Sequence, residues 1–182
     1  NVERLGIVKF DKSTISAPQV KLLWGKFKER QLHPGDILLF DSPGIFSKLI
    51  KFKTGGKYSH AEVYVGNHTV WASRNRQGVD SYPLDLTHVV AILRPRGVLE
   101  WQPGIRWFHS TAKGQKYDWL GLLNFFIAKW QGKENHRMFC SEFVVRVFRA
   151  FNYPLFPNTV DADAVHPSAL PLSTQVDLLT EL

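Results

Sequence analysis

Tyr58-Ser59-His60-Ala61-Glu62-Val63-Tyr64-Val65-Gly66 is the stretch on which the fold turns. It follows a Thr54-Gly55-Gly56 loop and stops at Gly66-Asn67, and between them apolar and polar residues alternate with a period of two. That pattern predicts a strand over 60–66, with Ala61, Val63 and Val65 on one face and His60, Glu62 and Tyr64 on the other. The apolar face is expected to meet the core. Three more strands follow at short turn-punctuated intervals, over 69–73, 78–83 and 89–93. Pro34-Gly35-Asp36 opens a further short buried strand over 37–40. Such spacing suits an antiparallel meander rather than parallel βαβ units.

Downstream the period changes. Residues 105–113, 117–130 and 139–151 read as helices, the last with Phe143, Val144, Val147, Phe148 and Phe151 at helical intervals. Upstream, Ala17 to Arg30 has an apolar stripe of Val20, Leu23, Trp24 and Phe27, and Ile45 to Lys53 suits a short helix. The tail from Pro154 to Leu182 promises only short elements. Strands first and helices later predict an α+β fold, a small antiparallel β-sheet of four to six strands packed with helices. The expected organisation is an arm and amphipathic helix over 1–33 and a main domain over 34–182, together one compact domain. The chain opens on Asn1, which fits a processed product or a domain of something longer.

The 182 residues carry a formal net charge of +7, which favours anionic surroundings such as a cell-wall polymer or lipid head groups. No dense Lys/Arg run is present, so a nucleic-acid arm is not expected. A single cysteine rules out an internal disulfide framework and a thiolate zinc cluster. The seven histidines are scattered, so neither metal nor other cofactor is expected. The longest apolar run, Trp119 to Trp130, is too short to span a bilayer.

That one cysteine, Cys140, lies in Phe139-Cys140-Ser141-Glu142-Phe143, at the start of the last helix. A helix start favours a thiolate through its unpaired N–H groups and the positive end of the macrodipole. A neighbouring imidazole does the same and then serves as general acid. His60, opening its strand, can supply that imidazole. Read from spacing alone, Cys140 is either a nucleophile or a small buried hydrophobe. Glu62 is either the carboxylate that orients His60 or a solvated edge residue. His68, in a turn, reads as surface.

In order along the chain stand Pro34-Gly35-Asp36-Ile37-Leu38-Leu39-Phe40, Phe46-Ser47-Lys48-Leu49-Ile50, Tyr58-Ser59-His60, Gly66-Asn67, Gly78-Val79, Tyr117-Asp118, Phe139-Cys140-Ser141-Glu142 and His166-Pro167-Ser168-Ala169-Leu170. Over residues 34–170 this series resembles the circularly permuted branch of the NlpC/P60 papain-like superfamily, related to lecithin retinol acyltransferase-like proteins. The resemblance implies a permuted papain-like fold with Cys140 as nucleophile and His60 as base. Tyr58 and Ser141 are then expected near the substrate, with Tyr58 equally readable as a packing aromatic. Relatives place a polar third residue on the strand after the histidine, where this chain has Ala72. Glu62, or Ser73 on a bulged strand, is the expected substitute.

The resemblance implies a cysteine amidase or peptidase acting on peptidoglycan peptides through an acyl-enzyme, as a secreted or envelope-delivered cell-wall hydrolase or antibacterial effector. An effector would imply an inhibitor or immunity partner. The same dyad also serves lipid acyltransferases and hydrolases, for which Trp119 to Ile127 could line an acyl groove. A shell with Ala72 in the third position could instead be a binding module without turnover.

Overall fold

Ile37-Leu38-Leu39-Phe40 is apolar at every position, and a strand that is apolar on both faces needs cover on both. In the computed structural model, which describes residues 31–43, 55–117 and 137–181, these four residues form strand β1 and all are buried. Around it stand β2 (His60–Gly66), β3 (Thr69–Arg74), β4 (Gly78–Pro83), β5 (Val89–Pro95) and β8 (Val176–Glu181). They build one antiparallel sheet in the order β4-β3-β2-β1-β5-β8. The protein is α+β with a six-stranded antiparallel sheet. β2, β3 and β4 are the expected meander, while β1 inserts between β2 and β5.

Helix α1 (Trp101–Trp107) runs on into a wider turn over Phe108–Ala112. Two short strands, β6 (Lys116–Tyr117) and β7 (Arg137–Met138), pair in parallel. Helix α2 (Cys140–Ala150) follows, and two 3-10 turns (Ala162–Ala164, Pro167–Leu172) lead to β8. Helix α1 begins at Trp101 rather than near 105, because Pro103 falls in its first turn, where a missing N–H is tolerated. The tail's β8 was not expected. Of the helix expected over 117–130, Tyr117 ends β6 instead; its remaining residues, the expected helices over 17–30 and 45–53, and the proposed acyl groove over 119–127 lie outside the described residues.

Each face of the sheet carries its own core. Ile37, Leu39, Ala61, Val63, Trp71, Ala91 and Leu93 pack with Phe143, Val144, Val147 and Phe148 of α2 and Phe108 beyond α1. Trp71 and Phe108 stack at a centroid distance of 4.1 Å. Leu38, Phe40, Val70, Val89 and Ile92 gather on the opposite face with Leu32. That second core corrects the one-sided reading of β2. The face carrying His60 and Glu62 is apolar around them, and Glu62 is 1% exposed rather than solvated.

The loop into β2 is fastened at both ends of the motif. Ser59 N–H donates to Phe40 O at 2.8 Å, and Ser59 Oγ donates to the same carbonyl at 3.2 Å and accepts Ser42 N–H at 3.1 Å. Ser168, on the second 3-10 turn, accepts Tyr58 N–H at 3.0 Å. The late Pro167-Ser168 pair thus braces the residue two before His60. At the other end of β1, buried Asp36 accepts both arms of the Arg94 guanidinium, at 2.8 and 2.7 Å, together with His33 N–H at 2.8 Å.

Candidate active site

Cys140 is the first residue of α2. Phe139 precedes it in extended conformation, and the Glu142 carboxylate reaches back to accept Phe139 N–H at 3.2 Å. This carboxylate–backbone contact is the working half of a capping box, and it fixes the helix start at the cysteine. Arg146 Nε donates to Glu142 Oε1 at 2.8 Å one turn along. Glu142 is buried, which raises its carboxyl above the usual range against the pull of Arg146.

Eighty positions of sequence separate Cys140 from His60, and the packing of α2 on β2 brings them together. The two side chains lie close enough for each to shift the proton affinity of the other. His60 Nε2 meets Glu62 Oε1 at 3.0 Å, which leaves Nδ1 for the thiol. Phe40, opposite His60 in the ladder, packs against the ring at a centroid distance of 5.4 Å. The imidazole keeps 20% of its surface exposed, while Cys140 is 3% exposed.

Burial alone would lower the pKa of His60. The charge of Cys140 and its hydrogen bond, then the hydrogen bond and charge of Glu62, outweigh it and push the imidazolium up to about 10. Burial alone would raise the Cys140 thiol. The His60 charge and hydrogen bond, with the Ala61 and Ser141 backbone N–H groups, bring it below the ordinary thiol range instead. Each group therefore favours the charged form of the other, thiolate beside imidazolium.

Glu62 is engaged twice. Its Oε1 takes His60 Nε2 and also Arg74 Nε at 2.6 Å, and its Oε2 takes Arg74 Nη2 at 3.0 Å. Burial would raise this carboxyl, but His60 and Arg74 hold it below the usual range. Arg74 ends β3 on the same face as Val70 and Ala72. Continuing the ladder from Val63↔Trp71 sets Ala72 across from Glu62, and the methyl group leaves that side open to the carboxylate.

The other expected site residues fall elsewhere. Ser73 points away from His60, and its Oγ donates to Met138 O at 2.6 Å, tying β3 to β7; no bulge turns it toward the imidazole. Tyr58 is 5% exposed and packs within the α2-side core. Ser141 is buried at 3%, and its backbone N–H, not its hydroxyl, is what reaches the sulfur. His68 is exposed in the β2–β3 turn. Arg74 was absent from the expected set, although a basic residue closing the neighbouring strand on the face of a buried acid was the available signal.

Among the described residues, no group of three or more His, Cys, Asp and Glu could hold a metal ion, and no helix is long and apolar enough to cross a membrane. Comparison with models of known protein families finds no match, and neither does comparison with curated protein sequences.

Proposed function

We propose that this protein is a cysteine amidase or peptidase of the permuted papain-like kind, acting through an acyl-enzyme on peptidoglycan peptides. The observation that carries the reading is the chain of contacts Cys140–His60–Glu62, with the thiol at a helix start. A buried structural cysteine has no need of a histidine held in one orientation by a buried carboxylate. The order of the motifs along the sequence and the net charge of +7 support the choice of fold family and of an anionic wall polymer as substrate.

In this mechanism the Cys140 thiolate attacks the scissile carbonyl carbon and the electron pair moves to oxygen. Backbone N–H groups in the first turn of α2 stabilise the oxyanion. His60 gives its proton to the departing amine as the C–N bond breaks, leaving a thioester on Cys140. Neutral His60 then takes a proton from water, the hydroxide adds to the thioester, and the carboxylic acid leaves as the thiolate returns. Glu62 holds the ring in the orientation that both steps use.

The test is incubation of the purified chain and its Cys140→Ala variant with purified peptidoglycan, with counting of newly freed amines. Cys140-dependent release supports the reading. Release or transfer of fatty acid from phospholipid, with no new amines, would replace the peptide substrate by a lipid. Absence of turnover on both, with a thiol of ordinary reactivity, would leave a binding module.

A further inference from the structure

We propose that Arg74 is a positioning residue of this site, whose guanidinium fork keeps Glu62 charged and aimed at His60. The inference rests on the proposed thiol chemistry and extends it to a residue that does not touch Cys140.

The geometry is that of a relay across two strands. Arg74 Nε and Nη2 take both oxygens of Glu62, at 2.6 and 3.0 Å, so the carboxylate cannot rotate without losing an arm. Side chains two apart on a strand diverge, so Glu62 must fold back along β2 to meet His60. The fork from β3 fixes it in that pose. Arg74 is itself held, with its Cζ 4.4 Å from the Tyr82 ring centroid, while Tyr82 donates to Gly78 O at 2.8 Å. Ala72 supplies the room on the intervening position.

Charge gives the same assignment. Thiolate, imidazolium, carboxylate and guanidinium alternate in sign and sum to zero. The Glu62 side chain is 2% exposed and Arg74 25%. Without Arg74 the buried group carries one excess negative charge and must take up a proton more readily. If the proton goes to Cys140, the thiolate is lost at the acid side. The acid edge of the thiolate–imidazolium pair therefore moves to higher pH. Among the described residues, the relay also feels Tyr82, next to Asp80 on β4, and Asp85 before β5. Asp80 is paired with Lys113, and Asp85 is bonded to Thr87 N–H and feels His88.

The experiment needs no substrate. Iodoacetamide alkylation of the sole cysteine, followed across pH, gives the acid edge of the pair, and the imidazole resonances of His60 give the alkaline edge. The wild-type chain is compared with Arg74→Met, with Arg74→Lys as the charge-keeping variant, and with Arg94→Met as a control that breaks the equivalent Asp36 fork at the far end of β1. Expected is an acid edge higher by about one pH unit or more in Arg74→Met, which is about tenfold in the equilibrium, with Arg74→Lys intermediate and Arg94→Met unchanged. In a Glu62→Gln background, Arg74→Met should add nothing further.

Acid edges that superimpose for wild type and both Arg74 variants overturn the proposal. So does an equal shift in Arg94→Met, which would mark a general loss of stability. If Arg74→Met does not fold, Arg74→Lys and the Glu62→Gln pair carry the decision. An ordinary thiol profile in the wild-type chain would instead overturn the nucleophile reading, and this inference with it.

Discussion

Glu62→Gln separates two views of this carboxylate. As a strand-edge residue it would contribute little to stability. The structure gives it 1% exposure, two contacts from Arg74 and one from His60. A glutamine oxygen can still accept His60 Nε2–H and Arg74 Nε–H, but its NH2 then faces Arg74 Nη2, donor against donor. Removing one partner of a buried pair costs about 3–5 kcal/mol. The Arg74 side chain retains 25% exposure, so water relieves part of that, and about 2 kcal/mol remains. For a chain of this size the melting temperature should fall by about 4–8 °C. Two of the influences that raise His60 come from Glu62, so alkylation of Cys140 near neutral pH should slow about tenfold. Differential scanning calorimetry and timed alkylation read the two effects on one preparation. A melting temperature and an alkylation rate both matching wild type would refute the buried-relay account.

Cys140→Ala should abolish turnover and, by removing the strongest influence that raises His60, bring the imidazole titration well below about 10, as followed by NMR. Ser73→Ala should lose about 1–2 kcal/mol, from the bond to Met138 O, in a denaturant titration while leaving the alkylation profile in place. Stability against pH follows from the two shifted groups. His60, raised, contributes fully below its unfolded value of 6.5 and loses that contribution as pH rises through about 10. Cys140, lowered, contributes fully above its unfolded value of 9.0 and loses it as pH falls through the folded value. Where both shifts act, one decline offsets the other's rise, so the pair's share should be level up to 9.0 and should fall as pH rises beyond that toward about 10; the excess melting temperature of wild type over Cys140→Ala measures it.

The sheet was legible because its strands are short, bounded by Gly, Asn and Pro, and patterned with period two. Helix α2 was legible because five apolar residues recur along it after a polar first turn. The two-sided core was written in Ile37-Leu38-Leu39-Phe40, yet the alternation in β2 suggests a solvated polar face. An acid buried by an arginine on the next strand is indistinguishable, within its own strand, from an exposed one. Only the β2–β3 register reveals that Ala72 and Arg74 flank it. β8 escaped because Val176-Asp177-Leu178-Leu179 does not alternate, and as an edge strand it leaves Leu178 and Leu179 exposed. The Cys140–His60 pairing was suggested by residue type and helix position, but the contact itself depends on how α2 crosses β2, which no local pattern encodes.

The most direct test of the central claim is an ultraviolet titration of the Cys140 thiolate, taken as the difference between wild type and Cys140→Ala. The account predicts that the thiolate absorbance titrates below the ordinary thiol value of about 8.5. Absorbance that first appears near that ordinary value would contradict it.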